Sequence, residues 1–342
     1  MKILFYFIFT SCILWVLASC NKHVKIYTVN LLDNSDYPNF IHIPVTINDS
    51  IYRFMFDTGT SYNVVNSVLA QKIGLSVDSA YSAEISNIYG PVRKDSIAFA
   101  KKKYSIGELS INGLLALNGY KGLYFNDIEF LQRIGAIMGM ETIHQFNWLF
   151  NFADNTVTIS KDKIEIPVLQ DDKILTFDYY SEPDMIAHIA IKIDGQNFQN
   201  ILFDTGFDAS IFFSRKKQNV DIIFSESDFA AYTNKAIPAI GMDTNNGKAV
   251  LIDSIQINNF TMHSLVAAKK PEIGAKTIIT ANFVRRFRMM YFDSMNKKIQ
   301  LYVSTSDSAR YERKDIQDLI RTTLPHVAGG DTIDVDLSRF NM

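Results

Sequence analysis

One short pattern occurs twice in this chain and sets its architecture. The first copy runs Ile41-His42-Ile43-Pro44-Val45-Thr46-Ile47-Asn48-Asp49, then Tyr52-Arg53-Phe54-Met55-Phe56-Asp57-Thr58-Gly59-Thr60-Ser61. The second runs Ala187-His188-Ile189-Ala190-Ile191-Lys192-Ile193-Asp194-Gly195, then Gln199-Asn200-Ile201-Leu202-Phe203-Asp204-Thr205-Gly206. Each copy reads as an alternating strand, a turn at Asn48-Asp49 or Asp194-Gly195, and an apolar strand entering Asp-Thr-Gly. Alternation at period two buries one face and solvates the other, the habit of antiparallel sheets.

Both copies continue and close alike. Val64 to Ile73 suits a short helix ended by Gly74, and a hairpin is expected around Ile88-Tyr89-Gly90-Pro91. Strands follow at Tyr104 to Leu109 and Leu114 to Leu117 in the first half. Ala249 to Ile257 and Phe260 to Ala267 follow in the second. Ile137-Met138-Gly139 precedes a broken strand pair over Trp148 to Ile159, and Ile278-Ile279-Thr280 precedes another over Met289 to Val303. The fold class expected is all-β, with two lobes and short helices. The boundaries expected are a first lobe over 39–162, a connection over 163–178, a second lobe over 179–303 and a tail over 304–342. Residues 20–38 read as a linker.

A lone Asp-Thr-Gly arises by chance in about one chain in 15 of this length. Two, each after three apolar residues at the same point of a repeat, call for a chemical reason. Two carboxyls about 3 Å apart cannot both ionise, so they share one proton. The ionised one can take a proton from water while the protonated one polarises a carbonyl. Gly59 and Gly206 allow a tight turn that brings backbone N–H groups to the carboxylates. Thr58 and Thr205 carry hydroxyls able to lock the two turns together, and the apolar flanks hold them rigid.

These turns, Phe56-Asp57-Thr58-Gly59-Thr60-Ser61 and Phe203-Asp204-Thr205-Gly206, resemble the catalytic motifs of pepsin-like and retropepsin-like aspartic proteases. The short lobes are more similar to a fused pair of bacterial retropepsin-type domains. The resemblance covers roughly residues 40 to 303 and implies a catalytic pair, Asp57 and Asp204, with Thr58, Gly59, Thr60, Thr205 and Gly206 in support. It implies a substrate-binding flap, read at Tyr89 and Gly90 and in the second lobe at Ile240 and Gly241, and a peptide substrate laid between the lobes. The second lobe departs from the pattern: Phe207 stands where a hydroxyl residue is expected, and Thr280 where a glycine is. Two readings stay open: an active endopeptidase, or a weakly active or inactive protein that binds peptides in the same cleft.

The N-terminus reads separately. Lys2 and the apolar run Ile3 to Leu17 fit a secretory signal, being short for a membrane span. The run ends in Leu17-Ala18-Ser19-Cys20, which resembles the lipobox of bacterial lipoproteins. Residues 1–19 would then be removed, and Cys20 would carry lipid in the cell envelope, facing the periplasm. Cys12 and Cys20 are the only cysteines, so no thiol is left for a disulfide or for catalysis. Six scattered histidines show no close pairing, so neither a metal nor another cofactor is expected. The net charge of −2 and the want of a basic footprint argue against nucleic acid. The two basic runs, Lys101 to Lys103 and Arg285-Arg286-Phe287-Arg288, read as solvated faces. With both lobes in one chain, a monomer suffices.

Overall fold

The computed structural model describes residues 26–33, 40–66, 69, 72–74, 80–87, 90–106, 109–117, 136–181, 185–193, 196–206, 211–214, 248–258, 260–270 and 278–304. It is almost entirely β-structure, in two sheets. In the first lobe, β2 (His42–Ile47) and β3 (Ser50–Phe56) form a hairpin. Its turn residues Asn48 and Asp49 have φ of 49° and 59°. Paired positive φ values suit a two-residue hairpin, and Asn and Asp tolerate them.

Beyond the Asp57 turn come β4 (Val64–Asn66), β5 (Ala80–Asn87), β6 (Gly90–Ile106), β7 (Leu109–Leu117) and β8 (Ala136–Met138). These strands form one sheet in the order β2-β3-β8-β4-β7-β6-β5. The short β8 is inserted between β3 and β4, parallel to the strand that enters the turn and antiparallel to the one that leaves it. The second lobe repeats this with β12 (His188–Ile193), β13 (Gln196–Asp204), β14 (Ile211–Ser214), β15 (Lys248–Ile257), β16 (Phe260–Lys270) and β17 (Ile278–Thr280). There β17 is parallel to β13 and antiparallel to β14.

The antiparallel habit read from period-two alternation has exceptions. The pairs β3/β8, β4/β7, β13/β17 and β14/β16 are parallel. Strand periodicity reports which face is buried and is silent on the direction of the neighbour. A correction concerns Val64–Asn66, which is a strand rather than the start of a helix. The helical turn comes later, where the Ile73 N–H donates to the Leu69 carbonyl (2.9 Å). Gly74 ends it with φ of 67°.

After each inserted strand comes one helical turn, α1 (Met140–Ile143) and α2 (Ala281–Val284). Each leads into a hairpin, β9 (Asn147–Asn151) with β10 (Thr156–Ser160) and β18 (Met289–Asp293) with β19 (Lys298–Ser304). The two hairpins meet where β9 pairs antiparallel with β18. Outside them lie β1 (Ile26–Asn30) against β10 and β11 (Asp172–Tyr180) against β19. The result is a six-stranded antiparallel platform, β1-β10-β9-β18-β19-β11, with three strands from each half.

This platform changes the sequence picture in two places. Residues 26–30, expected in a linker, and 172–178, expected in a connection, are equivalent platform strands. Each repeat therefore starts earlier than its Asp-Thr-Gly hairpin suggests. Among the described residues the larger core cluster lies on the upper face of the platform. Phe56, one residue before Asp57, meets Phe150 (4.8 Å between centroids), Trp148 (5.2 Å) and Phe292 (6.3 Å) edge-on. The Trp148 indole N–H donates to the Ile143 carbonyl (2.7 Å), so this large ring is polar-satisfied as well as buried.

The Arg285-Arg286-Phe287-Arg288 run is not a solvated face. Arg286, Phe287 and Arg288 are buried, and Arg285 donates to the Phe40 carbonyl (2.8 Å) over the ring of Phe152. Burial lowers the Arg285 pKa to about 10. Arg288 forms an ion pair with Asp172 and donates to the Pro167 carbonyl (3.3 Å), tying the inter-lobe connection to β18. Leaving one buried charge unpaired costs about 3–5 kcal/mol, whereas replacing both by apolar groups can be neutral. Arg288→Ala is therefore expected to lose about 3 kcal/mol in urea unfolding, with Asp172→Leu/Arg288→Met recovering most of it.

Candidate active site

The two Asp-Thr-Gly turns face each other at the top of the core. Asp57 ends the path of β3, and its N–H donates to the Met138 carbonyl (3.0 Å) of the inserted strand. Asp204 ends β13, in parallel register with Thr280. The two turns are joined by a reciprocal clasp. The Thr58 N–H donates to the Thr205 Oγ1 (3.2 Å), and the Thr205 N–H donates to the Thr58 Oγ1 (3.1 Å). Each hydroxyl then donates to a carbonyl of the other lobe: Thr205 to Phe56 (2.6 Å), and Thr58 to Phe203. Both threonines are fully buried. A further strut joins the lobes, the Ala187 N–H donating to the Thr58 carbonyl (3.0 Å).

The glycines matter for what lies opposite them. A Cβ on Gly59 would stand 2.3 Å from Cγ of Asp204, and a Cβ on Gly206 would stand 2.3 Å from Cγ of Asp57. Each carboxyl thus occupies the space that a side chain on the opposing turn would need. Each glycine N–H donates to the aspartate of its own turn, Gly59 to Asp57 (2.8 Å) and Gly206 to Asp204 (2.9 Å). The two carboxyls lie close enough for each to affect the other's ionisation. Asp57 is 5% exposed and Asp204 is 7% exposed, so little water reaches either.

The pair is asymmetric. Burial raises the pKa of Asp57, but the Thr60 hydroxyl (2.6 Å to Oδ2) and the Gly59 N–H oppose that rise. Burial raises Asp204 further, well above its ordinary value, and the neighbouring Asp57 charge adds to it. Among the described residues, the Gly206 N–H opposes these effects. The donors on the page therefore favour the ionised form of Asp57.

Several expected residues cannot be placed. Tyr89, Ile240, Gly241, Cys20 and Phe207 lie outside the described residues. Gly90 opens β6 in register with Asn87, so a two-residue connection joins β5 to β6 where the flap hairpin was expected. Thr280 takes the place in the second lobe that Gly139 holds in the first: each is the residue before the helical turn, in extended conformation. A Cβ at Gly139 would lie 2.3 Å from the Tyr62 carbonyl, so glycine is required there.

His42 and His188 occupy matching strand positions, opposite Met55 and Leu202. Each packs within its own lobe, His42 edge-on to Phe40 and His188 stacked on Tyr180. Burial lowers the His42 pKa to about 3. Among the described residues, no group of three His, Cys, Asp or Glu side chains could hold a metal ion, and no helix is long and apolar enough to cross a membrane.

Sequence reasoning missed Asn63. It is fully buried, its Oδ1 accepts from the Gly139 N–H (3.1 Å), and its Nδ2 donates to the Thr142 Oγ1 (2.8 Å). It fastens the loop after Asp57 to α1. A single Asn between Tyr62 and Val64 carries no local signal of that role.

Residues 43–141 match the aspartyl protease family. The matched span runs from β2 into α1 and contains Asp57, its turn and Gly139. The match supports protease activity, hence a hydrolase. No curated protein matches the chain.

The raised pKa of Asp204 has a consequence for stability. A carboxyl whose folded pKa lies above its unfolded value of 3.8 stabilises the fold below that value and loses this contribution as pH rises through the folded pKa. Asp204→Asn removes the penalty at neutral pH. Its thermal midpoint is expected above that of the wild type at pH 7, with the difference shrinking toward zero below pH 3.8.

Proposed function

We propose that the protein is an aspartic endopeptidase in which Asp57 and Asp204 act as one catalytic dyad. The observation that carries this reading is the mutual seating of the two carboxyls, each in the space left by the other turn's glycine. A protein that only bound peptides would gain nothing by burying two acids together, since burial penalises their ionised forms. In the reaction, ionised Asp57 takes a proton from the attacking water, and protonated Asp204 donates to the scissile carbonyl oxygen. The resulting gem-diol collapses as the C–N bond breaks, the proton taken up by Asp57 passing to the leaving amine and a diol hydroxyl returning its proton to Asp204. The rigid Thr58/Thr205 clasp keeps the acids in place throughout, so little reorganisation is needed. The substrate is an extended peptide lying across the two turns. Lipid on Cys20 would hold the enzyme in the bacterial envelope, on the periplasmic side.

The test is cleavage of a peptide library between acid and neutral pH. Asp57→Asn and Asp204→Asn are each expected to lower kcat/KM at least 1,000-fold, against roughly 10²–10⁴-fold for a typical general acid or base. Undiminished cleavage by both variants would overturn the dyad. The role of Asp57 predicts a further result. Thr60→Val removes a hydrogen bond that favours ionised Asp57, so the acid limb of the pH–rate profile should move to higher pH. A lower rate with an unmoved limb would show that Thr60 does not tune the pair.

A further inference from the structure

We propose that the lower face of the six-stranded platform lies against the membrane, its lipid surface contacted by Ile26, Val168, Leu169 and Ile174, with the dyad facing away. This rests on the reading of Cys20 as a lipidated residue.

The platform has two distinct faces. Its upper face carries Trp148, Phe150 and Phe292, which pack against Phe56 beneath the dyad. A registered row crosses the lower face from Asn30 through Thr156, Asn151, Met289 and Tyr302 to Ile174. Ile26 shares that face, because it lies an even number of residues from Asn30 on β1. The inter-lobe connection leaves β10 beside Ile26 and crosses this face to β11. It buries Ile164 and packs Ile166 against Leu149, Met289, Tyr291 and Tyr302.

Four of the eight exposed large hydrophobic side chains among the described residues belong to this face or to the connection covering it: Ile26 (49%), Val168 (52%), Leu169 (48%) and Ile174 (45%). Leu169 is held in place there, its N–H donating to Asp172 (2.8 Å). The covalent chain selects the occupant. Only six peptide steps separate Cys20 from Ile26, a reach of at most about 20 Å. A lipid on Cys20 therefore draws the β1 corner of the platform to the bilayer. Exposed aliphatic side chains beside a lipid anchor add the second attachment that one anchor needs for stable binding. The Asp57 and Asp204 turns, on the opposite side of the core, are then left facing away from the bilayer.

The experiment uses the full-length lipoprotein in vesicles of phosphatidylethanolamine and phosphatidylglycerol. With Cys20 blocked by lipid and Cys12 removed with the signal, no native thiol competes for label. Fluorophores are placed on Leu169→Cys and Ile174→Cys, and on Tyr62→Cys beside the Asp57 turn. Nitroxide-bearing lipids are expected to quench the first two at least threefold more than the third, and a water-soluble nickel chelate should do the reverse. Equal or inverted quenching in protein that incorporates a palmitate analogue would overturn the orientation and leave the anchor standing. Failure to incorporate that analogue would overturn the anchor and this proposal with it. Cleavage by soluble protein would still decide the dyad separately.

Discussion

The structure depends on the contact between Thr58 and Thr205. Two acids can share a proton in a dry site only if their separation is fixed, because they would relax apart if the lobes could slide. Four hydrogen bonds between the turns remove that freedom, and they involve backbone groups on both sides. The hydroxyls donate to the carbonyls of Phe56 and Phe203, so the clasp reaches into the strands that anchor each turn to its core. The platform beneath supplies the same constraint on a larger scale. Pairing β9 with β18 makes the lobes share one sheet, so their relative placement is a matter of hydrogen-bond register.

Symmetry in the backbone coexists with asymmetry in the acids. The two lobes offer equivalent turns, equivalent glycines and equivalent inserted strands. What differs among the described residues is the set of donors facing each carboxyl. Asp57 has the Gly59 N–H and the Thr60 hydroxyl, whereas Asp204 has the Gly206 N–H. The Thr60 hydroxyl favours the ionised form of Asp57, because charge-assisted hydrogen bonds are worth more in a water-poor site.

Much of this was legible in the sequence, for identifiable reasons. The β2–β3 hairpin, its Asn48-Asp49 turn and the β9–β10 and β18–β19 pairs are local, and each announces itself by alternation and turn residues. The Asp-Thr-Gly turns were legible because they repeat. The parallel insertion of β8 and β17 was not, since three fully or mostly buried residues carry no period and their partners lie far along the chain. Platform strands β1 and β11 were hidden for a related reason. Edge strands with mixed burial, such as Ile26–Asn30, look like linker until their neighbours are known. The arginine run misled because composition alone suggests solvation, whereas Arg285 and Arg288 find carbonyls and a carboxylate inside. Asn63 was invisible because its partners, Gly139 and Thr142, are more than 70 positions away.

The equivalence of β1 and β11 explains how the inter-lobe connection works. Each half builds a three-stranded share of the platform, and its outermost strand comes from the start of the repeat. The second half can begin its share only after the chain has travelled from β10, on one side of the platform, to β11 on the other. The connection must therefore cross the lower face, and it does so with Ile164 and Ile166 turned toward the sheet. Burying those residues offsets part of the entropy of ordering the crossing, while the Arg288–Asp172 pair fixes its far end. The same crossing keeps the chain off the upper face.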